Sequence, residues 1–165
     1  METVSRTEDA MMAILPNILA TYQQGENYPL VRMIDGRRNL RDYIDRIYRT
    51  AKADICFFGC GTEVIGLMSR VLDAVAEEFR SGSKIKARAL LTATEENVAL
   101  KNKYSGPGLQ IKILPKEMKF ASAFHISAHT VVLWQIQTPL AIAIDDQCLA
   151  VMMQAIFDGY WGKLS

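Results

Sequence analysis

The chain has 165 residues, half of them hydrophobic, enough for one well-buried core and near the usual size of a single domain. Nineteen Lys and Arg against eighteen Asp and Glu leave a formal net charge of +1, which excludes a surface drawn as a whole to nucleic acid or to anionic membrane. Three cysteines, Cys56, Cys60 and Cys148, are an odd number, and two sit in or beside apolar runs, so a disulfide scaffold is excluded and a reducing, cytoplasmic setting fits. No apolar run approaches the ~18 residues of a membrane span, and the acidic residues near Met1 do not read as an export signal.

Met11, Met12, Leu15, Ile18, Leu19 and Tyr22 recur at helical spacing and predict an amphipathic helix over 7–23, with Pro16 as a kink. Residues 1–26 are thus expected to be an N-terminal helix and linker, and 27–165 a single α/β domain. A run rich in β-formers over 28–34 stops at Asp35-Gly36, and Leu40, Tyr43, Ile44, Ile47, Tyr48 and Ala51 then mark a helix. On that helix Arg38, Arg41, Asp42 and Asp45 each stand four residues before a residue of opposite charge, so its arginines are expected to pair with their own neighbours rather than with nucleic acid. Ile55-Cys56-Phe57-Phe58 is a continuous apolar run ending at Gly59, as expected of a strand buried on both faces near the middle of a parallel sheet.

Thr62 is placed to cap a long helix carrying Val64, Leu67, Met68, Val71, Leu72, Val75 and Phe79, closed by Ser81-Gly82-Ser83. The alternation of Lys84, Lys86 and Arg88 with Ile85, Ala87 and Ala89 predicts a strand with one solvated face, nearer an edge. A short helix over 95–104, a Ser105-Gly106-Pro107-Gly108 turn and an alternating strand over 109–114 follow. Three short apolar runs, over 124–126, 130–134 and 140–144, are separated by turn-length gaps and predict an antiparallel meander. Asp145-Asp146 opens a final helix whose face is Leu149, Met152, Met153, Ile156, Phe157, Tyr160 and Trp161.

Gly59-Cys60-Gly61-Thr62 stands between a strand and a helix, where exposed backbone N–H groups hold an anion or a sugar hydroxyl in some proteins and make a plain tight turn in others. Val64 replaces the third glycine of a dinucleotide fingerprint, no P-loop lysine follows, and Glu63 sets its own carboxylate at the positive end of the helix. His125 and His129 lie four apart, a spacing that aligns metal ligands on a helix but not on a strand and turn, so no metal site is expected. No cofactor motif is present.

Three segments, Leu15-Pro16 to Tyr22, Pro29-x-Val31-Arg32 with Asp35-Gly36, and Lys52-Ala53-Asp54-Ile55 with Phe58-Gly59, together resemble one family. They are similar to the C-terminal effector domain of TrmB-like transcriptional regulators, as is the ending Ala141-Ile142-x-Ile144-Asp145-Asp146 with Phe157-x-x-x-Trp161. The resemblance implies a phospholipase D-like fold: a mixed, mainly parallel sheet flanked by helices, with an antiparallel hairpin region and a C-terminal helix. It also implies ligand sensing, a small molecule such as a sugar, and a homodimer. The winged helix-turn-helix of those regulators has no counterpart here, so no direct nucleic-acid binding is expected of this chain, and no membrane contact. Catalytic phospholipase D-like enzymes use His-x-Lys followed by Asp; from His125 this sequence has Ser127 and Val132 at those places, and from His129 it has Val131 and Ile136. No catalytic residue is therefore expected. Gly59, Gly61, Thr62, Glu63 and His125 are the candidate ligand-binding residues. A divergent phosphodiesterase and a pocketless interaction domain are the alternatives.

Overall fold

A computed structural model describes residues 29–60, 66, 73, 76, 77, 85–135 and 137–164. Seven strands form one sheet in the order β1-β7-β6-β5-β2-β3-β4. They are β1 (Leu30–Asp35), β2 (Ile55–Gly59), β3 (Ala87–Leu91), β4 (Leu109–Ile113), β5 (Ser122–Ser127), β6 (Thr130–Gln135) and β7 (Leu140–Asp145). The helices are α1 (Arg37–Thr50), α2 (Glu95–Tyr104) and α3 (Gln147–Trp161). Gly66, Asp73, Ala76 and Glu77 are also helical, in the stretch where the sequence predicts its longest helix. The expected helix over 7–23, and with it 1–26, lies outside the described residues, as do Gly61, Thr62 and Glu63.

The sheet is mixed, but its parallel share is smaller than the sequence suggests. Only β2–β3 and β3–β4 run parallel, and the other four neighbouring pairs are antiparallel. The reason is β1: instead of lying beside β2 it pairs with β7 at the far edge, and α1 carries the chain back across the width of the β5–β6–β7 meander. Ile55–Gly59 nevertheless lies inside the sheet, where parallel and antiparallel halves meet, and is covered on both faces.

The helices are divided unequally between the two faces. On one, Leu40, Tyr43 and Ile44 of α1 pack on Ala123, Val132, Trp134, Ala141 and Ala143; three alanines let the helix approach closely. Tyr104 of α2, with Ala76, covers Ala89, Leu91 and Ile111 on the same face. The opposite face has α3 alone among the described helices, with Ala150 and Phe157 packed on Cys56, Phe58, Leu90, Ile126 and Val131. Each helix start follows from its sequence: Thr94 accepts from the Asn97 N–H and Asp146 from the Leu149 N–H, while Gly36 begins α1 at φ 86°, a conformation other residues adopt at a cost.

Two expectations about charged residues are corrected. On β3, Arg88 is partly covered rather than free in water: its guanidinium lies 5.1 Å from the Phe157 ring centre and 5.5 Å from that of Trp161, and bridges Asp158 at 2.9 Å. Long basic side chains cover apolar surface with their stems, so an alternating pattern that reads as one wet face here lies beneath a helix. On α1 only Asp45–Arg49 of the four expected pairs forms, at 2.7 Å. It has the acid N-terminal to the base, the favourable order along a helix; Arg38–Asp42 and Arg41–Asp45 have the reverse order, and Arg46 turns onto the Tyr43 ring at 5.2 Å.

Candidate functional site

The turn between β5 and β6 determines the position of the site's principal side chain. Ser127 pairs with Thr130 across a two-residue connection, Ala128-His129, with Ala128 at φ 53°. That register sets His125 opposite Val132 and leaves Trp134 as its diagonal neighbour on the same face. The Trp134 indole N–H donates to His125 Nδ1 at 2.9 Å, with the ring centres 5.4 Å apart. His125 is buried, and burial lowers its pKa from 6.5 to about 3. The ring is therefore neutral at ordinary pH. Because an indole N–H can only donate, Nδ1 is the unprotonated nitrogen and Nε2 carries the proton. Among the described residues no group is bonded to Nε2 and no buried side-chain N or O lacks a partner, so the Nε2 edge is the part of the ring that reaches open space.

That space is a cleft of about 280 Å³ beside α1, with His125 and Ser127 in its wall. Arg46, Thr50 and Tyr43 of α1, Lys52 from the following loop, Arg32 of β1 and Thr130 of β6 complete its polar lining. The arginines differ in their freedom. Arg32 is held by Asp145 at 2.7 Å, and Thr130 donates to the same carboxylate at 2.5 Å, whereas Arg46 and Lys52 have no carboxylate partner among the described residues. Burial raises the pKa of the Tyr43 phenol, which keeps it a hydroxyl. The cleft is therefore rich in donors: an imidazole N–H, one guanidinium and one ammonium without a counter-ion among the described residues, and hydroxyls.

Gly59 ends β2 at φ 141°, and a Cβ there would lie 2.5 Å from both Ala123 Cα and Ser122 O on β5. Only glycine fits so close to a neighbouring backbone. Gly59 is paired with Ala123 and His125 with Phe57, and Gly59 is not among the residues that line the His125 cleft, which opens toward Ser127 instead. Of the candidate residues, His125 thus lies in a cleft, Gly59 serves the approach of two strands, and Gly61, Thr62 and Glu63 lie outside the described residues. His129 is exposed in the turn, where its carbonyl accepts from the Asp146 N–H at 2.9 Å.

A second concavity, about 480 Å³ and apolar, lies over the meander, lined mainly from the α3 face by Phe58, Phe120, Phe124, Leu133, Leu140 and Ile142 and bordered by Trp134. Among the described residues no group of three or more His, Cys, Asp or Glu is placed to hold a metal ion, and no helix is long and apolar enough to cross a membrane. Sequence reasoning missed Trp134, Tyr43, Arg46 and Lys52. The Trp134 contact is readable once a two-residue turn at 128–129 is assumed, because that turn alone sets the diagonal; the α1 residues carry no local signal, since β1 and α1 reach this place through pairing with β7.

No family model and no curated protein matches the chain. Solved structures do. TrmBL2, an archaeal chromatin protein, superposes with a TM-score of 0.56 at 15% identity over 97% of this chain. This chain spans 60% of TrmBL2's length. NucT from Helicobacter pylori has a TM-score of 0.59 at 10% identity, covering 83% of this chain and 97% of its own. Nuc from Salmonella typhimurium, a phospholipase D family member, has a TM-score of 0.56 at 14% identity, covering 84% and 97%. The chain has the phospholipase D-like α/β fold, in a form shared with TrmBL2, NucT and Nuc.

Proposed function

We propose that this chain is a non-catalytic ligand-sensing effector domain of a TrmB-like transcriptional regulator, that it is a dimer, and that it binds a small molecule such as a sugar in the His125 cleft. The observation that carries the reading is the hydrogen bond from the Trp134 indole N–H to His125 Nδ1, which sets the tautomer. A phospholipase D-like reaction needs a histidine lone pair directed at phosphorus, and here the nitrogen that faces the cleft bears the proton while the lone pair is taken by Trp134. Ser127, two residues on, supplies a hydroxyl where the enzymes' lysine would stabilise phosphoryl charge, and Val132 stands directly across the ladder where their aspartate would be. What remains suits recognition: an N–H donor, the Tyr43 and Ser127 hydroxyls, and the Arg46 and Lys52 cations, which together match a ligand of several hydroxyls, with or without an acidic group. DNA and membrane contacts are not assigned to this domain.

Thermal unfolding against sugars, sugar phosphates, sugar acids and nucleotides tests the reading. A ligand at ~100 times its dissociation constant adds about 2.7 kcal/mol, an upward shift of roughly 5–10 °C for a domain of this size. The shift is expected with one chemical class and is expected to shrink in Arg46→Ala. No shift across the panel, or turnover of an activated phosphodiester that His125→Gln abolishes, would overturn it, the second result in favour of a divergent phosphodiesterase.

A further inference from the structure

On the face where α3 is the one helix among the described residues, the sheet is seven strands wide and the helix contacts β2, β5 and β6. The outer two strands, β7 and β1, have no described helix above them on this side. Their side chains there are apolar: Val31 and Met33 are 58% and 71% exposed, and Ile142 pairs with Met33. Beside this strip stands α3, whose flank toward it also leaves Met152, Ile156 and Tyr160 exposed, with Leu133 and Phe120 between. Asp35, at the far end of β1, is the one charged side chain that β1 and β7 turn to this face; Arg32 and Asp145 alternate to the other.

Two quantities match this arrangement to a second copy. Two strand spacings make the bare strip about 10 Å wide, the diameter of a helix with its side chains. The exposed apolar side chains named above leave on the order of 600 Å² in water, larger than most patches monomers tolerate and close to what one partner contributes to a standard interface. A ridge, α3, beside a step of helix width is also self-complementary: one two-fold axis seats each ridge on the other copy's step.

We propose that a second copy of this chain covers the strip, with α3 of each protomer seated on β7 and β1 of its partner. The inference rests on the dimeric part of the functional reading and names the face that makes the dimer. It also puts the apolar concavity lined by Phe58, Phe120 and Leu133 at the edge of the interface, and leaves the His125 cleft open on the opposite face.

Sedimentation equilibrium over a concentration series tests it, with Met33→Glu on the step and Ile156→Glu on the ridge. Both sites are exposed in the single chain, so each variant is expected to keep its far-ultraviolet circular dichroism while dimerising roughly 100-fold more weakly, because each buries a charge without a partner. Arg38→Glu, on α1 at the other face, is expected to dimerise as the wild type does. A wild-type dimer that persists in both variants would overturn the choice of face and leave the dimer standing. A monomeric wild type would overturn both, and one that floats with phosphatidylcholine vesicles would assign the strip to lipid instead.

Discussion

Acid should destabilise this domain through His125 in a way that one substitution removes. In the folded chain the imidazole stays neutral down to about pH 3, whereas in the unfolded chain it takes a proton at its ordinary value of 6.5. Between those limits the unfolded state binds the extra proton, so protonation favours unfolding. The stability contributed by the neutral buried ring is complete above pH 6.5, falls as pH drops, and has been lost by about pH 3. At ~1.36 kcal/mol per unit, the loss between pH 7 and pH 4.5 is about 2.5 kcal/mol, a large part of the 5–15 kcal/mol typical of a domain.

Carboxylates add their own acid dependence, so the informative quantity is the wild type minus His125→Gln, in which the amide oxygen can still accept from the Trp134 indole. Urea unfolding of both proteins at half-unit steps supplies it. At pH 7 the variant is expected to be less stable by ~1–2 kcal/mol for its imperfect fit. Its curve should nevertheless be flatter, and the two are expected to cross between about pH 5 and 6. Parallel curves, with a pH-dependent difference under ~0.5 kcal/mol, would refute the buried neutral ring and with it the tautomer argument.

Other substitutions test the supports of the site. Gly59→Ala places a methyl against two backbone atoms of β5 and forces alanine to φ 141°, so it should cost ~3–5 kcal/mol in denaturant unfolding; a cost under ~1 kcal/mol would contradict the close approach of β2 and β5. Ala128→Gly relieves a left-handed alanine at φ 53° and should raise stability by about 0.5–1 kcal/mol, measured the same way, with a loss counting against the turn geometry. Trp134→Phe removes the donor to His125 Nδ1 and should cost ~1–3 kcal/mol beyond the lost ring contacts, with a double-mutant cycle against His125→Gln isolating the hydrogen bond.

The meander and α3 were legible because their signals are local. Short apolar runs between turns specify antiparallel strands whatever else the chain does, and Asp146 caps a helix wherever an apolar face follows it. The placement of β1 was not legible, since a strand followed by a helix and a strand reads as two parallel neighbours until the partner on β7, over a hundred residues away, is known. The same distance hides the site. His125 was visible as a polar residue within an apolar strand, but Arg46 and Lys52 reach its cleft only because α1 packs on Ala123, Ala141 and Ala143, and nothing in the α1 sequence distinguishes Arg46 from the other arginines of that helix. Charge spacing misled there for a physical reason: a pair four residues apart on an exposed helix is worth a few tenths of a kcal/mol, and a tyrosine ring within reach competes with it.

The chain has two tryptophans, and they report on different faces. Trp134 donates its indole N–H to His125, whose ring is in the cleft wall, and borders the apolar concavity with its own ring, while Trp161 packs with Phe157 beneath Arg88 on the side of α3. A two-dimensional ¹H–¹⁵N spectrum resolves the two indole resonances, and titrating in the compound that raises the melting temperature asks where it binds. Binding in the cleft predicts that the Trp134 indole peak moves in a saturating way and the Trp161 peak stays. Movement of Trp161 alone, or of neither, would contradict the claim that the His125 cleft is the ligand site of this domain.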